Sequence, residues 1–108
     1  MANTYKQLAQ AQGTGGAASV YSPGTGEQVI IRDVVVVNTT GGDLDFILYC
    51  DDDGSTFDET TQILSVTTLP SNSTYERHSW ITMNVNAGNI GFDAPSGLTI
   101  TMWGVVIT

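Results

Sequence analysis

The feature that most constrains the fold of this chain is a run of β-branched residues between positions 29 and 37. Valine and isoleucine fill every position of the run except those of Arg32 and Asp33. β-Branched side chains pack well on an extended, pleated backbone, so the run predicts a strand. A Thr-Thr-Gly-Gly segment at 39–42 and an apolar segment at 43–50 follow it. Together they indicate a turn and a second strand.

Both alternating sets of positions in this run are apolar. With a side-chain period of two, the first set is Val29, Ile31, Val35 and Val37. The second set is Ile30, Val34 and Val36. A strand of a two-layer sandwich normally needs only one apolar face, so the second face requires a cover. That cover is either a neighbouring subunit or the loops and N-terminal arm of the same domain.

Turn signals recur along the rest of the chain, at 22–26, 51–55 and 70–73. This spacing, with few strong helix formers, predicts about seven or eight antiparallel strands in one β-sandwich or jelly roll. We expect residues 1–16 to form an N-terminal arm or an edge strand. Residues 17–108 are expected to form the β-sandwich domain.

The later strands carry their own alternation. Phe57 is expected to mark the return of the chain after the 51–55 hairpin tip, and residues 86–88 predict a turn into a short strand. Between 74 and 83 one parity is apolar, with Tyr75, Ile81 and Met83. The other parity holds His78 and Trp80.

Charge excludes several classes of function. Eleven acidic residues stand against three basic ones, a net charge of −8, so a groove for nucleic acid would lack cations and direct DNA or RNA binding is not expected. Anionic membranes would repel the chain, and no apolar run approaches the roughly 20 residues of a spanning helix. No signal peptide is recognised at the N-terminus, so we expect the chain to fold in a cytoplasm.

Cys50 is the only cysteine. A single cysteine precludes an internal disulfide, and we expect its side chain to be a small buried apolar group.

An acidic cluster is the best candidate for a metal site. Its members are Asp51, Asp52, Asp53, Asp58 and Glu59. Carboxylates of this kind bind calcium, but the spacing does not match an EF-hand loop. The alternative is a solvated hairpin tip in which Asp and Gly supply the turn and charge discourages edge pairing. We favour the tip and expect no metal and no cofactor.

Catalytic and sugar-binding sites are weaker hypotheses. His78 is the sole histidine, no zinc-ligand spacing surrounds it, and no nucleophile elbow is present, so an enzyme is not expected. Four aromatic residues could stack on sugar rings: Tyr49, Tyr75, Trp80 and Trp103. Aromatic residues in strands more commonly pack in a core or an interface, and that interpretation is preferred here.

The order of these segments resembles the small virion proteins of tailed bacteriophages. The matching segments are 20–23 (Val-Tyr-Ser-Pro), the strand ending at 37–39, 46–49, the acidic tip at 51–61, Trp80, 86–90 and 97–105. The resemblance covers residues 20–107 and implies a jelly-roll or sandwich protein that assembles, often as a trimer. Where such proteins commonly have an acid after the Asn-Ala-Gly turn, this chain has Asn89, which weakens any shared metal site. No catalytic residue carries over.

The resemblance therefore predicts a structural protein of a virion that is assembled in the bacterial cytoplasm. The first expectation is a capsid decoration (cement) protein, a homotrimer that contacts the major capsid protein or other virion proteins. One alternative is a head–tail, neck, tail or fibre accessory protein. The other is a carbohydrate-binding β-sandwich module.

Overall fold

Eight strands account for all the regular secondary structure in the computed structural model, which describes residues 3–84 and 88–108. Their bounds are β1 Asn3–Gln12, β2 Ala17–Tyr21, β3 Gln28–Asn38, β4 Leu44–Asp51, β5 Gln62–Leu69, β6 Ser73–Asn84, β7 Asn89–Asp93 and β8 Leu98–Ile107. None of the described residues belongs to a helix that could cross a membrane. The turn predicted at 86–88 includes residues 86 and 87, which lie outside the described part of the chain.

The strands form two antiparallel four-stranded sheets. One has the order β1-β8-β3-β6 and the other β2-β7-β4-β5. Only β4 and β5 are neighbours both in the sequence and in a sheet, so almost every connection crosses from one sheet to the other. This is the strand order of an eight-stranded jelly roll. The predicted all-β sandwich of about eight strands is confirmed, and β1 forms the edge of the first sheet beside β8.

The core lies between the two sheets and is built from the inward parity of each strand. Its members are Val29, Ile31, Val34, Val36, Phe46, Leu48, Leu69, Met83, Ile90, Phe92, Leu98, Ile100, Met102 and Val106. Phe46 stands at the centre, with its ring centroid 5.3 Å from that of Tyr75 and 6.1 Å from that of Phe92. Edge-to-face contacts of this kind add to the burial of apolar surface between the layers.

A β-bulge in β3 corrects the predicted division of its side chains. The pairing with both neighbouring strands shifts between Ile31 and Asp33. Relative to β8, where these two residues pair with the adjacent Gly104 and Trp103, Arg32 is an extra residue of β3. Relative to β6, where they pair with Ile81 and His78, the extra residue belongs to β6. Beyond the bulge the parity is reversed, so Val34 and Val36 are buried in the core while Val35 and Val37 face outward with Ile30. The prediction that Val35 and Val37 share a face with Val29 and Ile31 was therefore wrong.

A buried polar residue ends β3. The side-chain amide of Asn38 donates to the carbonyl oxygens of Gly42 and Leu69, both at 2.9 Å. Its carbonyl oxygen accepts from the backbone N–H of Thr40 at 2.9 Å. Because a buried amide is costly unless its hydrogen bonds are made, these bonds hold the β3–β4 turn against the end of β5.

Candidate interaction surface

The broad surface of the β1-β8-β3-β6 sheet that points away from the core carries apolar side chains on all four strands, and we call it the outer face. Its apolar members are Tyr5, Ile30, Val35, Val37, Trp80, Trp103, Val105 and Ile107. Trp80 is 66% exposed and Tyr5 55%; the other six are half-buried by their neighbours within the sheet. Contiguous exposed apolar surface of this kind marks a binding surface in soluble proteins.

Four polar side chains from three strands form a hydrogen-bonded cluster within this face. The Tyr5 hydroxyl donates to Asp33 Oδ2 at 2.8 Å. His78 contacts Asp33 Oδ1 through Nδ1 at 2.7 Å and Glu76 Oε2 through Nε2 at 3.3 Å. The bulge is what makes this possible, because it turns Asp33 outward and pairs it with His78 across β3 and β6.

The cluster shifts the titration of its members. Hydrogen bonding to Asp33, followed by that to Glu76, raises the pKa of His78 above its usual 6.5. Hydrogen bonds from His78 and from Tyr5 lower the pKa of Asp33 below its usual 3.8. Both shifts favour the ion pair of a protonated His78 with an ionised Asp33.

Arg32, the extra residue of the bulge, lies beside this cluster. Its guanidinium carbon is 4.1 Å from the centre of the Trp80 ring, which is cation–π geometry. The outer face thus brings together Trp, Tyr and Arg, the residue types that contribute most of the binding energy at protein interfaces.

The opposite sheet presents a different exterior. The segment between β4 and β5 folds back over it, and the Phe57 ring lies 5.6 Å from that of Tyr49. A Cβ atom at Gly91 would be only 2.7 Å from this ring, so the absence of a side chain there makes room for Phe57. Phe57 is therefore a cover for Tyr49 rather than part of the return strand, which begins at Gln62.

The acidic segment has a structural role at Asp51. This residue is the last of β4 and is buried, with 7% of its surface exposed. Its Oδ2 accepts from the backbone N–H of Thr56 at 2.8 Å, and its Oδ1 accepts from that of Asp53 at 3.3 Å. These bonds, that from Thr56 foremost, lower the pKa of Asp51. The prediction of a solvated tip was wrong for this carboxylate, which organises the segment that carries Phe57.

The remaining acidic residues do not converge with it into a ligand set. Asp58 accepts from the backbone N–H of Thr60 at 2.8 Å, a local turn. Among residues 3–84 and 88–108, no three His, Cys, Asp or Glu side chains are arranged to hold a metal ion. The calcium hypothesis therefore gains no geometric support from the described chain.

The four aromatic candidates for sugar stacking do not share one surface. Tyr75 packs on the core beside Phe46, and Tyr49 lies under Phe57. Trp80 and Trp103 both belong to the outer face. Cys50 packs against the core but is only half-buried, and that burial raises the pKa of its thiol.

The polar cluster of the outer face and the contribution of β8 to this face were not predicted from the sequence. One signal was present: Arg32 and Asp33 are adjacent charges in an otherwise apolar strand. Strict alternation would have forced one of them into the core, so the pair itself indicates a bulge.

Comparison with known proteins identifies the class of fold. No family model and no curated protein sequence matches the chain. Among solved structures, it is similar to the coat protein of Tobacco streak virus, with a TM-score of 0.56 and 8% identity over 98% of this chain and 86% of that one. A structure of the dimer of that coat protein gives a TM-score of 0.52, with 9% identity over 97% and 83% of the two chains. At such identities the likeness shows a shared fold alone.

Proposed function

We propose that this chain is a structural protein of a virion, and specifically a capsid decoration protein that associates as a homotrimer and binds the outside of a head. The observation that carries the proposal is the outer face, an apolar surface with exposed Trp80 and Tyr5 on a jelly roll. The fold it shares with the Tobacco streak virus coat protein supports it, as does the resemblance to small virion proteins of tailed phages.

The charge distribution suits such a role. A net charge of −8 keeps separate subunits apart and soluble. Once several copies are joined, each contact with a shell is repeated, and the effective concentration of the remaining contacts makes weak binding sites cooperate. A small subunit with an apolar face for self-association and an acidic remaining surface can therefore stay soluble before it binds a shell, and its joined copies can stay attached afterwards.

The test is the protein composition of purified particles that contain this chain. Quantitative mass spectrometry of the particles, with the major capsid protein as internal standard, measures copies per particle. A decoration protein is expected in hundreds of copies, at a fixed ratio to the capsid protein. A handful of copies would move the chain to the neck, tail or fibre, and its absence from particles would overturn the proposal.

A further inference from the structure

We infer that the outer face is the surface through which one copy of this chain binds a second copy. The inference deepens the proposed function and rests on it, since it names the partner of the same surface. Its basis is the coincidence on one face of three properties: exposed apolar side chains, balanced charge and sufficient area.

Charge selects this face over every other. Of the eleven acidic side chains only Asp33 and Glu76 lie on it, and of the three basic ones only Arg32 does. The formal charge of the outer face is thus −1 with His78 neutral and zero with His78 protonated. The other nine acids lie elsewhere in the molecule. Two identical acidic molecules therefore meet the least repulsion when this face is turned toward the partner.

The same distribution argues for a second copy rather than a different partner. A basic protein would be drawn to the acidic surface, which includes Asp45 and Asp93 on the opposite sheet. A strongly acidic partner would meet only one arginine, Arg32, on the outer face, and so would gain little electrostatic attraction there. A copy of this chain offers matched groups: Arg32 and His78 to face carboxylates, and Asp33 and Glu76 to accept from them.

The size of the face is adequate. Its strands are 10 to 12 residues long. At a rise of about 3.3 Å per residue and a strand spacing of about 4.8 Å, four strands cover roughly 600 Å². Two such faces in contact bury about 1,200 Å², the lower bound of specific interfaces.

The side chains that would be buried are of the right kind. Trp80 and Tyr5 project from the sheet and are more than half exposed in the single subunit. Arg32 already lies against the Trp80 ring, so part of the ordering cost of its long side chain is met before association. Aromatic residues with few rotatable bonds likewise lose little entropy when they become buried.

The experiment compares Trp80→Asp with Val66→Asp by sedimentation equilibrium and light scattering at several concentrations. Val66 is the matched control, because it is 63% exposed and lies on β5 of the other sheet. We expect the wild-type protein and Val66→Asp to associate, with a mass at least twice the 11.5 kDa of one subunit. In Trp80→Asp an unpaired charge would be buried at the contact, which weakens association at least a hundred-fold and leaves the single-subunit mass.

Circular dichroism establishes that both variants retain the strand content of the wild-type protein, and Trp80→Phe is expected to restore association. Equal masses for all variants would overturn the inference, and so would an equal loss of association in Val66→Asp. The outcomes distinguish failure of this interface from failure of the proposed decoration role. If the chain is absent from particles while only Trp80→Asp abolishes association, the interface stands without the decoration role. If the chain decorates particles while Trp80→Asp associates normally, the role stands without this interface.

Discussion

At the scale of single residues, Gly91 shows how one missing side chain positions an entire segment. The Phe57 ring occupies the space beside the glycine, and through that ring the acidic segment covers Tyr49. Asp51 holds the same segment from its other end through the backbone N–H of Thr56. A small set of local contacts thus closes part of the second sheet.

Gly91→Ala is expected to displace the Phe57 ring. Because the new Cβ would lie 2.7 Å from the ring, the substitution is expected to cost about 1–3 kcal/mol, as overpacking typically does. The control is Gly41→Ala, where nothing lies within 4 Å of the added Cβ and a surface change typically stays within about 0.5 kcal/mol. Urea unfolding measures both. Equal urea midpoints for the two variants would show that the Phe57 ring does not lie against Gly91.

At the scale of the strand, the bulge in β3 decides which valines reach the core. Val36 is fully buried, while its neighbour Val35 faces outward beside Glu76 and Thr101. Strict alternation from Val29 would assign the opposite positions. The two residues are chemically identical and adjacent, so they form a stringent test of the register.

Val36→Asp is expected to destabilise the fold by several kcal/mol, because an unpaired carboxylate would be buried between the sheets. Val35→Asp is expected to leave the unfolding midpoint nearly unchanged and to weaken self-association, since its carboxylate would lie on the outer face. Thermal unfolding at low protein concentration separates the two effects from association. A large drop in melting temperature for Val35→Asp with a small one for Val36→Asp would show that β3 alternates without a bulge.

The strands themselves could be predicted because their signals are local. β-Branched runs and glycine or proline turns reveal β3 and β4, and alternation places His78 and Trp80 on one parity of β6, without any knowledge of the partners. The bulge is set by pairing with β6 and β8, and the position of Phe57 depends on Gly91, which is far along the chain. Such features depend on contacts that a linear pattern does not contain, and the polar cluster of the outer face was missed for the same reason.

At the scale of the whole molecule, shifted groups predict how stability varies with pH. Asp33, Asp51 and Asp58 have pKa values lowered from 3.8 by hydrogen bonds. Their contribution is present above 3.8 and is lost as the pH falls through the lowered values. His78 has a raised pKa, so its contribution is present below 6.5 and is lost as the pH rises through that raised value. These groups together favour the folded chain most between 3.8 and 6.5.

His78→Gln is expected to remove the decline on the neutral side of this range. The melting temperature of the wild-type chain should fall as the pH rises from 6.5 through the raised His78 pKa, while that of the variant should stay level. The groups that face His78 are Asp33 and Glu76, with Tyr5 bonded to Asp33 and Arg32 beside it on β3. Differential scanning fluorimetry at closely spaced pH values provides the measurement, and parallel curves for the two proteins would contradict the assignment.

The folded-back segment over Tyr49 also determines how far such a molecule can build. Phe57 covers Tyr49 on the second sheet, which also carries Asp45 and Asp93. The two broad sides of the sandwich therefore differ: one is apolar with balanced charge, and the other is partly covered and acidic. A subunit with a single self-association surface can complete a closed cluster, but that cluster leaves no such surface free for a further subunit. If copies join through the outer face as proposed, self-association ends at a closed cluster and does not continue into fibres.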